Sequence, residues 1–297
     1  MKGNGRRVLF IYKKSAYQLH VRERKNALIQ ELIDRDDPTV RNILSADAAH
    51  LETLEEAKLA VKSLGVKGVF RYRSDEGLVE GFDLIVTIGG DGTLLWASHR
   101  MPPGRPVLAI NSAPVHSVGH FCGGRKGRVR QALAGALDGR LKATKLSRMQ
   151  VELDGKVVHK RVLNDALFCH RSPAATTRYI LHHQGIEEPQ KSSGLWIGPA
   201  AGSTAAQRSA GGRILAPGSR KIQFVVREPY HPPEGSYRFQ RGLVSNGDEL
   251  VIDSQVREGR LYLDGPRVMF EVGLGAQLRF SRSDEPLTVL AFPRAQR

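Results

Sequence analysis

The 297-residue sequence predicts an N-terminal doubly wound parallel α/β domain followed by a C-terminal antiparallel, two-sheet β-rich domain. Apolar runs of strand length alternate with helix-like segments over the first 111 residues, the pattern of a parallel sheet covered on both faces. From Arg148 onward the hydrophobic period falls to two, and short strands are separated by turn dipeptides, as in an antiparallel sandwich. Between these regions Asn111-Ser112-Ala113-Pro114 reads as a crossover. The expected boundaries are therefore 1–112 and 113–284, with the last residues, about 285–297, free to pack back on the first domain.

Arg6 to Lys13 is the first expected strand, apolar from Val8 to Tyr12. Tyr17, Val21, Leu28 and Leu32 then share one helical face. That helix should stop near Asp36-Asp37-Pro38, because proline disfavours helical geometry in the residue before it. Thr53 and Glu56 suit a capping box, with an earlier start near Asp47 as the alternative. Leu54, Ala57, Val61 and Leu64 line the apolar face, and Gly65 is a natural terminator. Val66 to Tyr72, Asp83 to Ile88 and Pro106 to Asn111 complete the strands of the first domain. After the glycine-bearing Gly119-His120-Phe121-Cys122-Gly123-Gly124, residues Val129, Ala132, Leu133, Ala136 and Leu137 make an amphipathic helix reaching Gly139. Met149 to Leu153 and Lys156 to Leu163 should form a hairpin about Asp154-Gly155. Further strands are expected at Thr177 to His182, Leu195 to Ile197, Ile222 to Val226, Glu249 to Ile252 and Arg260 to Leu263. The Asp264-Gly265 turn leads on to Arg267 to Val272, Gln277 to Phe280 and Leu287 to Phe292.

An apolar content of 40% and a charged content of 25% describe a soluble globular protein. No run approaches the roughly 20 apolar residues of a membrane span, so no membrane association is expected. Val8 to Tyr12 is too short for the core of a signal peptide and is followed by no small-residue cleavage site. Cys122 and Cys169 form neither a metal-spacing motif nor a disulfide framework, which makes a reducing, cytoplasmic location the expectation. The formal net charge of +15 fits nucleic acid, an anionic surface or polyanionic small substrates. Basic residues concentrate between Cys122 and Arg161, with eleven Lys or Arg against three Asp or Glu. That segment has no aromatic residue to stack on bases, which argues against nucleic acid. A solvated face and a field that attracts phosphates are the two readings left for it.

The chemistry concentrates in three stretches. The strand Asp83 to Ile88 delivers Gly89-Gly90-Asp91-Gly92 to a helix through Leu94, Leu95, Trp96 and Ala97, with Thr93 as its cap. Three residues without Cβ let the backbone turn sharply and approach a ligand, and free N–H groups at a helix start favour a phosphate. Asp91 places a carboxylate where anions are otherwise welcome, which suits accepting a proton or holding a metal. The plainer alternative is an Asx-turn at a tight corner. Asn164-Asp165, at the end of an apolar strand, suits sugar hydroxyls or an exocyclic amine, or is a surface polar pair. Lys191 to Gly212 reads as a strand, a loop of small residues and a hydroxyl-rich helix start, suited to close approach of a polar ligand or to tight packing by alanines.

In this order the stretches resemble the NAD kinase family. The likeness rests on Gly89-Gly90-Asp91-Gly92-Thr93, on Asn164-Asp165 where most members have Asn-Glu, and on Gly202-Ser203-Thr204-Ala205. Gly119-His120-Phe121 resembles the family's Gly-Phe-Leu segment, while Lys191-Ser192-Ser193-Gly194 and Val226-Arg227-Glu228-Pro229 look like the mitochondrial-type branch. The resemblance implies transfer of the γ-phosphoryl of ATP to the 2′-hydroxyl of the adenosine ribose of NAD, giving NADP. It implies Asp91 as the group that takes the hydroxyl proton, and Gly89, Gly90, Gly92 and Thr93 at the ATP phosphates, with Mg²⁺ arriving on ATP. Phe121, Asn164, Asp165, Ser193, Ser203, Thr204, Ala205 and Ser209 would line the NAD site, and a homo-oligomer, dimer or tetramer, is implied. Ser193 stands where most relatives have aspartate, and Ala206 where most have tyrosine. Two other classes share part of the pattern. One is a lipid or small-alcohol kinase with the same aspartate loop, and the other a nucleotide-sensing or nucleic-acid-binding protein with little turnover.

Overall fold

A computed structural model describes residues 5–75, 77, 79–231 and 235–291. The chain divides into two compact units: the first runs to Thr144 and resumes at Thr288, and the second is Lys145–Leu287. The division therefore falls well after the crossover expected at 112. Asn111 ends a strand of the first sheet, and the following residues return to that sheet and its helix layer before the chain leaves the unit.

In the first unit β1 (Arg7–Tyr12) is followed by a short π-helical stretch Gln18–Glu23, α1 (Ala27–Asp34), α2 (Asn42–Leu64), β2 (Lys67–Tyr72), β3 (Leu84–Gly89), α3 (Asp91–Ser98), β4 (Pro106–Asn111), β5 (Gly124–Arg125), α4 (Val129–Leu137) and β6 (Lys142–Leu146). The sheet order is β2-β1-β3-β4, then the returning strand Leu287–Ala291, then β6, with β5 beside β4. The pairs β1–β2, β1–β3, β3–β4, β4–β5 and β4–returning strand are parallel. All six residues of β3 are buried, as expected of a central strand covered on both faces. One face packs Val8, Phe10, Val86, Ile88, Leu108 and Ile110 against Ala57 and Ala60 of α2 and Val129 and Leu133 of α4. Gly65 takes the left-handed conformation that closes α2.

Two helix expectations change. The single helix from Tyr17 to Asp36 is broken, because Lys25 adopts a positive φ of 49° and the Asn26 side chain accepts from Ile29 N at 3.1 Å, starting a new helix there. α2 begins at Asn42, so Thr53 is a buried mid-helix residue whose hydroxyl donates to Ala49 O at 2.7 Å. Glu56 is turned to the N–H of Gly127, and the capping box does not form.

The second unit comprises β7 (Met149–Leu153), β8 (Lys156–Val162), β9 (Ala166–His170), β10 (Thr177–His183), β11 (Ile186–Ser192), β12 (Leu195–Pro199), a 3₁₀ turn Ala200–Thr204, α5 (Ala206–Ser209), β13 (Ile222–Val226), β14 (Arg241–Val244), β15 (Glu249–Ser254), β16 (Gly259–Leu263), β17 (Val268–Val272) and β18 (Gln277–Arg282). They form two six-stranded antiparallel sheets, β11-β10-β15-β18-β7-β8 and β14-β13-β12-β9-β16-β17. One core joins them: Tyr179, Ile252, Leu278 and Phe280 from the first, and Phe168, Ile197, Phe224 and Leu261 from the second. Asp154 and Gly155 both have positive φ, 51° and 74°, as a two-residue hairpin turn requires. Of these strands the sequence left β9, β11 and β14 unassigned; β9 is a central strand of its sheet, and β11 and β14 are edge strands. β11 carries Glu187, Glu188 and Pro189, and the edge position is where proline is tolerated and the hydrophobic alternation weakens. The expected last strand extended to Phe292, which lies outside the described residues.

The returning strand is tightly seated: a Cβ at Gly123 would overlap Leu290 O and come within 2.9 Å of Ala291 Cα. Gly123→Ala should therefore cost about 2 kcal/mol or more, seen as a lower urea midpoint with an unchanged slope.

Candidate active site

The aspartate loop sits at the carboxyl end of β3, where doubly wound sheets bind ligands. Gly90, extended at φ −140° and ψ −165°, holds the N-cap position, and α3 begins at Asp91 itself. Thr93 thus lies inside the first turn instead of capping it: Thr93 N donates to Gly90 O at 2.9 Å. Gly89, Gly90 and Gly92 are not in the left-handed region. What the first two supply is room. A Cβ at Gly89 would overlap the Thr93 side chain, one at Gly90 would stand 2.7 Å from Ser117 Oγ, and Gly92 faces open space.

Asp91 is clasped from the main chain. His120 N donates to Oδ2 at 2.7 Å and Phe121 N to Oδ1 at 3.0 Å. The turn presenting these groups depends on Gly119, which has φ +59° and whose Cβ would stand 2.5 Å from Asn111 Nδ2. Asn111 Nδ2 in turn donates to Ser117 O at 2.7 Å. Phe121 therefore reaches Asp91 through its backbone. Cys122 Sγ lies 4.0 Å from Asp91 Oδ1; burial first, then that carboxylate, push its thiol up, so it remains a protonated donor. Beneath the loop Ser112 N donates to Gly89 O at 2.7 Å. Buried His50 meets Lys13 O through Nε2 at 2.6 Å and Ser112 Oγ through Nδ1 at 2.9 Å. Lys13 O can only accept, so Nε2 bears the proton and Nδ1 accepts from the serine. Burial pushes the imidazole down to about 4, keeping that neutral tautomer near pH 7.

In the second unit the residues between β8 and β9 carry Asn164 and Asp165, joined by Asn164 Nδ2 donating to Asp165 Oδ2 at 2.9 Å. Asp264, at the β16–β17 turn, holds the segment by accepting from Leu163 N (2.9 Å), Asn164 N (2.7 Å) and Asp165 N (3.0 Å). Burial and then the Asp264 charge push Asp165 up to about 7. The small-residue stretch is brought to the same segment, because Cβ atoms at Gly198 and Gly202 would overlap Asn164 O, and Gln207 Nε2 donates to that oxygen at 3.3 Å.

Thr204 and Ala205 are half-buried and Ser209 exposed beside this segment. The Ser203 hydroxyl is used internally, donating to Ala200 O at 2.6 Å and accepting from Leu215 N at 2.9 Å. Ser193 lies beside Arg227, its N–H donating to Arg227 O at 3.0 Å.

Gly89 to Thr93 and Phe121 thus gather in the first unit. Asn164, Asp165 and the Gly202 to Ser209 stretch gather in the second, where Ser193 also falls. His50, Asn111, Gln207 and Asp264 were not read from the sequence. Only Asp264 carried a signal, the Asp-Gly turn, and that signal spoke of a hairpin. Among the described residues no three His, Cys, Asp or Glu side chains are grouped to hold a metal, and no helix is long and apolar enough to cross a membrane.

A model of the ATP-NAD kinase N-terminal domain matches residues 11–141. A probable NADH kinase of Oryza sativa subsp. japonica is 32% identical over 280 residues, covering 86% of this chain and 86% of that protein. The NADH kinase of Arabidopsis thaliana is 35% identical over 232 residues, 70% of this chain and 72% of that one. In fold, the chain resembles an NAD kinase from Archaeoglobus fulgidus solved with ATP, with a TM-score of 0.68 at 18% identity over 95% of this chain and 92% of that one. A yeast NADH kinase solved with NADH gives 0.67 at 17%, over 98% and 84%.

Asp165 generates a pH-dependent prediction. Its folded value lies above the ordinary 3.8, so it weakens the fold as pH rises from about 4 through about 7 and leaves it unaffected below. At about 1.4 kcal/mol per unit the ceiling is about 4 kcal/mol. Asp165→Asn should stabilise the chain by a few kcal/mol at pH 8 and hardly at pH 4, as read from urea midpoints at the two pH values.

Proposed function

This chain belongs to the NAD kinase family, and we propose that Asp91 is the group through which it moves the γ-phosphoryl of ATP onto the 2′-hydroxyl of the adenosine ribose of NAD. The observation that carries this is the clasp: a carboxylate fixed through both oxygens by His120 N and Phe121 N, beside glycines that leave Gly92 open. A carboxylate has about four lone-pair positions. Two are taken by the main chain and a third is met weakly by the Cys122 thiol, which leaves one to accept the ribose hydroxyl. As the 2′-oxygen forms its bond to the γ-phosphorus, the bond from that phosphorus to the β–γ bridging oxygen breaks, and the hydroxyl proton passes to Asp91. A loose transition state lets the proton leave late, so a carboxylate suffices as base. Free N–H groups at the start of α3 and the helix dipole face the phosphates.

In the second unit, Asn164 and Asp165 supply acceptors and a donor to the dinucleotide, with Thr204, Ala205, Ser209 and Ser193 around it. Ser203 acts by shaping the loop, since its hydroxyl is already engaged on both sides. Mg²⁺ would enter on ATP, whose phosphate oxygens supply most of its ligands. A homo-oligomer is part of this reading.

The reduced dinucleotide is a second acceptor to consider, because the two plant relatives are named NADH kinases. A lipid acceptor would leave the hold on Asn164 and Asp165 without a use.

The test is the purified chain with ATP and Mg²⁺, given NAD, NADH or diacylglycerol in parallel. NADP or NADPH should form, and phosphorylation of diacylglycerol alone would reject the reading. Asp91→Asn should lower kcat by about 10²–10⁴-fold with the KM for NAD within threefold; turnover near that of the unaltered enzyme would remove Asp91 from its role.

A further inference from the structure

The basic segment after Cys122 has a structural outlet that the assignments above do not use. Beyond the ends of β4 and β5 the first unit holds a cleft of about 590 Å³, lined among others by Asn111, Gly119, Cys122, Arg125, Arg128 and Gln131. Gly119 and Cys122 bracket the two residues whose N–H groups clasp Asp91, and Cys122 Sγ lies 4.0 Å from its carboxylate. Asp91 does not itself line the cleft, which is one side chain, that of Cys122, away from the proposed reacting carboxylate.

The other cations of this segment in the first unit are largely engaged. Lys126 pairs with Glu52, Arg140 with Asp138, and Arg130 Nε donates to Ser63 Oγ at 3.3 Å. Of the nearby acids, Glu52 is used by Lys126, and Glu56 accepts from Gly127 N at 2.9 Å through each oxygen. Arg125 and Arg128 are exposed and have no carboxylate partner among the described residues. Their backbones are joined by Arg128 N donating to Arg125 O at 3.0 Å, which sets both at the one cleft. Two guanidiniums can offer up to ten N–H donors in rigid forks, a geometry matched to phosphate oxygens, and Gln131 adds an amide.

We propose that Arg125 and Arg128 form a polyphosphate-binding site beside Asp91 and hold the phosphate chain of one of the two substrates. The chemistry shared by the candidates is a run of linked phosphates, the triphosphate of ATP or the pyrophosphate of NAD. The proposal rests on the kinase reading for its substrates, but the site itself is defined by phosphate chemistry alone.

Two measurements on Arg125→Gln/Arg128→Gln separate these levels. Calorimetric titration with inorganic tripolyphosphate and pyrophosphate, in the absence of nucleotides, should show binding to the natural chain that weakens at least tenfold in the variant and is retained in Arg125→Lys/Arg128→Lys. Steady-state kinetics should show the KM of one substrate rising at least tenfold while the other stays within twofold: ATP if the site holds the triphosphate, NAD if it holds the pyrophosphate. A thermal midpoint within 2 °C of the natural chain establishes that the variant is folded. Equal tripolyphosphate and pyrophosphate binding by the natural chain and the glutamine variant, or unchanged KM values for both substrates in an active enzyme, overturns the proposal. A natural chain that binds the polyphosphates through these arginines but makes no NADP or NADPH leaves the cleft standing and rejects the kinase reading.

Discussion

Two main-chain N–H groups, those of His120 and Phe121, converge on the two oxygens of one carboxylate, and most of the first unit's local architecture is arranged to make that possible. A carboxylate at a helix start gains from the dipole, but a mobile one is a poor acceptor for a specific hydroxyl. Fixing it takes a left-handed turn at Gly119, an asparagine at the end of β4 to brace that turn, and glycines at 89 and 90 so that Thr93 and Ser117 can close in. Below, the His50–Ser112 pair ties the end of β3 to the residue after β4 and to the residue after β1. Each partner is an obligate one: an unmatched polar group in this buried layer would cost about 1–3 kcal/mol.

The second unit solves a similar problem by the inverse device. There a carboxylate collects the backbone: Asp264 accepts three successive N–H groups and so fixes the strand exit that presents Asn164 and Asp165. The charge that secures the segment also raises the cost of ionising Asp165. Stability and the availability of an anionic acceptor are thus opposed at this point, as at many functional sites. Gly198 and Gly202 matter here for their lack of volume, since they let a second stretch of main chain lie against Asn164.

How much of this was legible depended on whether the cause was local. β3 and its glycine loop, the Asp154-Gly155 hairpin and the apolar face of α4 announced themselves because period, length and turn chemistry agree there. The end of the first helix did not, because Asn26 offers the backbone a competing partner and overrides an unbroken apolar spacing. The start of α2 was hidden by Thr53 and Glu56, whose cap-like spacing serves other contacts. Asp264 and His50 act across 99–101 and 37–62 residues of sequence, and no window-based pattern reaches that far. Edge strands β11 and β14 were silent because a strand with one paired side need not alternate cleanly, whereas the five-residue β9, paired on both sides, was missed for its shortness beside the Asn164-Asp165 stretch.

The returning strand Leu287–Ala291 has a consequence for how the molecule comes into being. It lies between β4 and β6 in the parallel sheet, yet it is translated after the whole of the second unit. While the ribosome is still making residues 145–286, β4 has only part of its partnership and the nascent sheet keeps an open margin. The amino-terminal half therefore cannot mature in order of synthesis, and a message cut short just before Leu287 would leave its first unit unable to close.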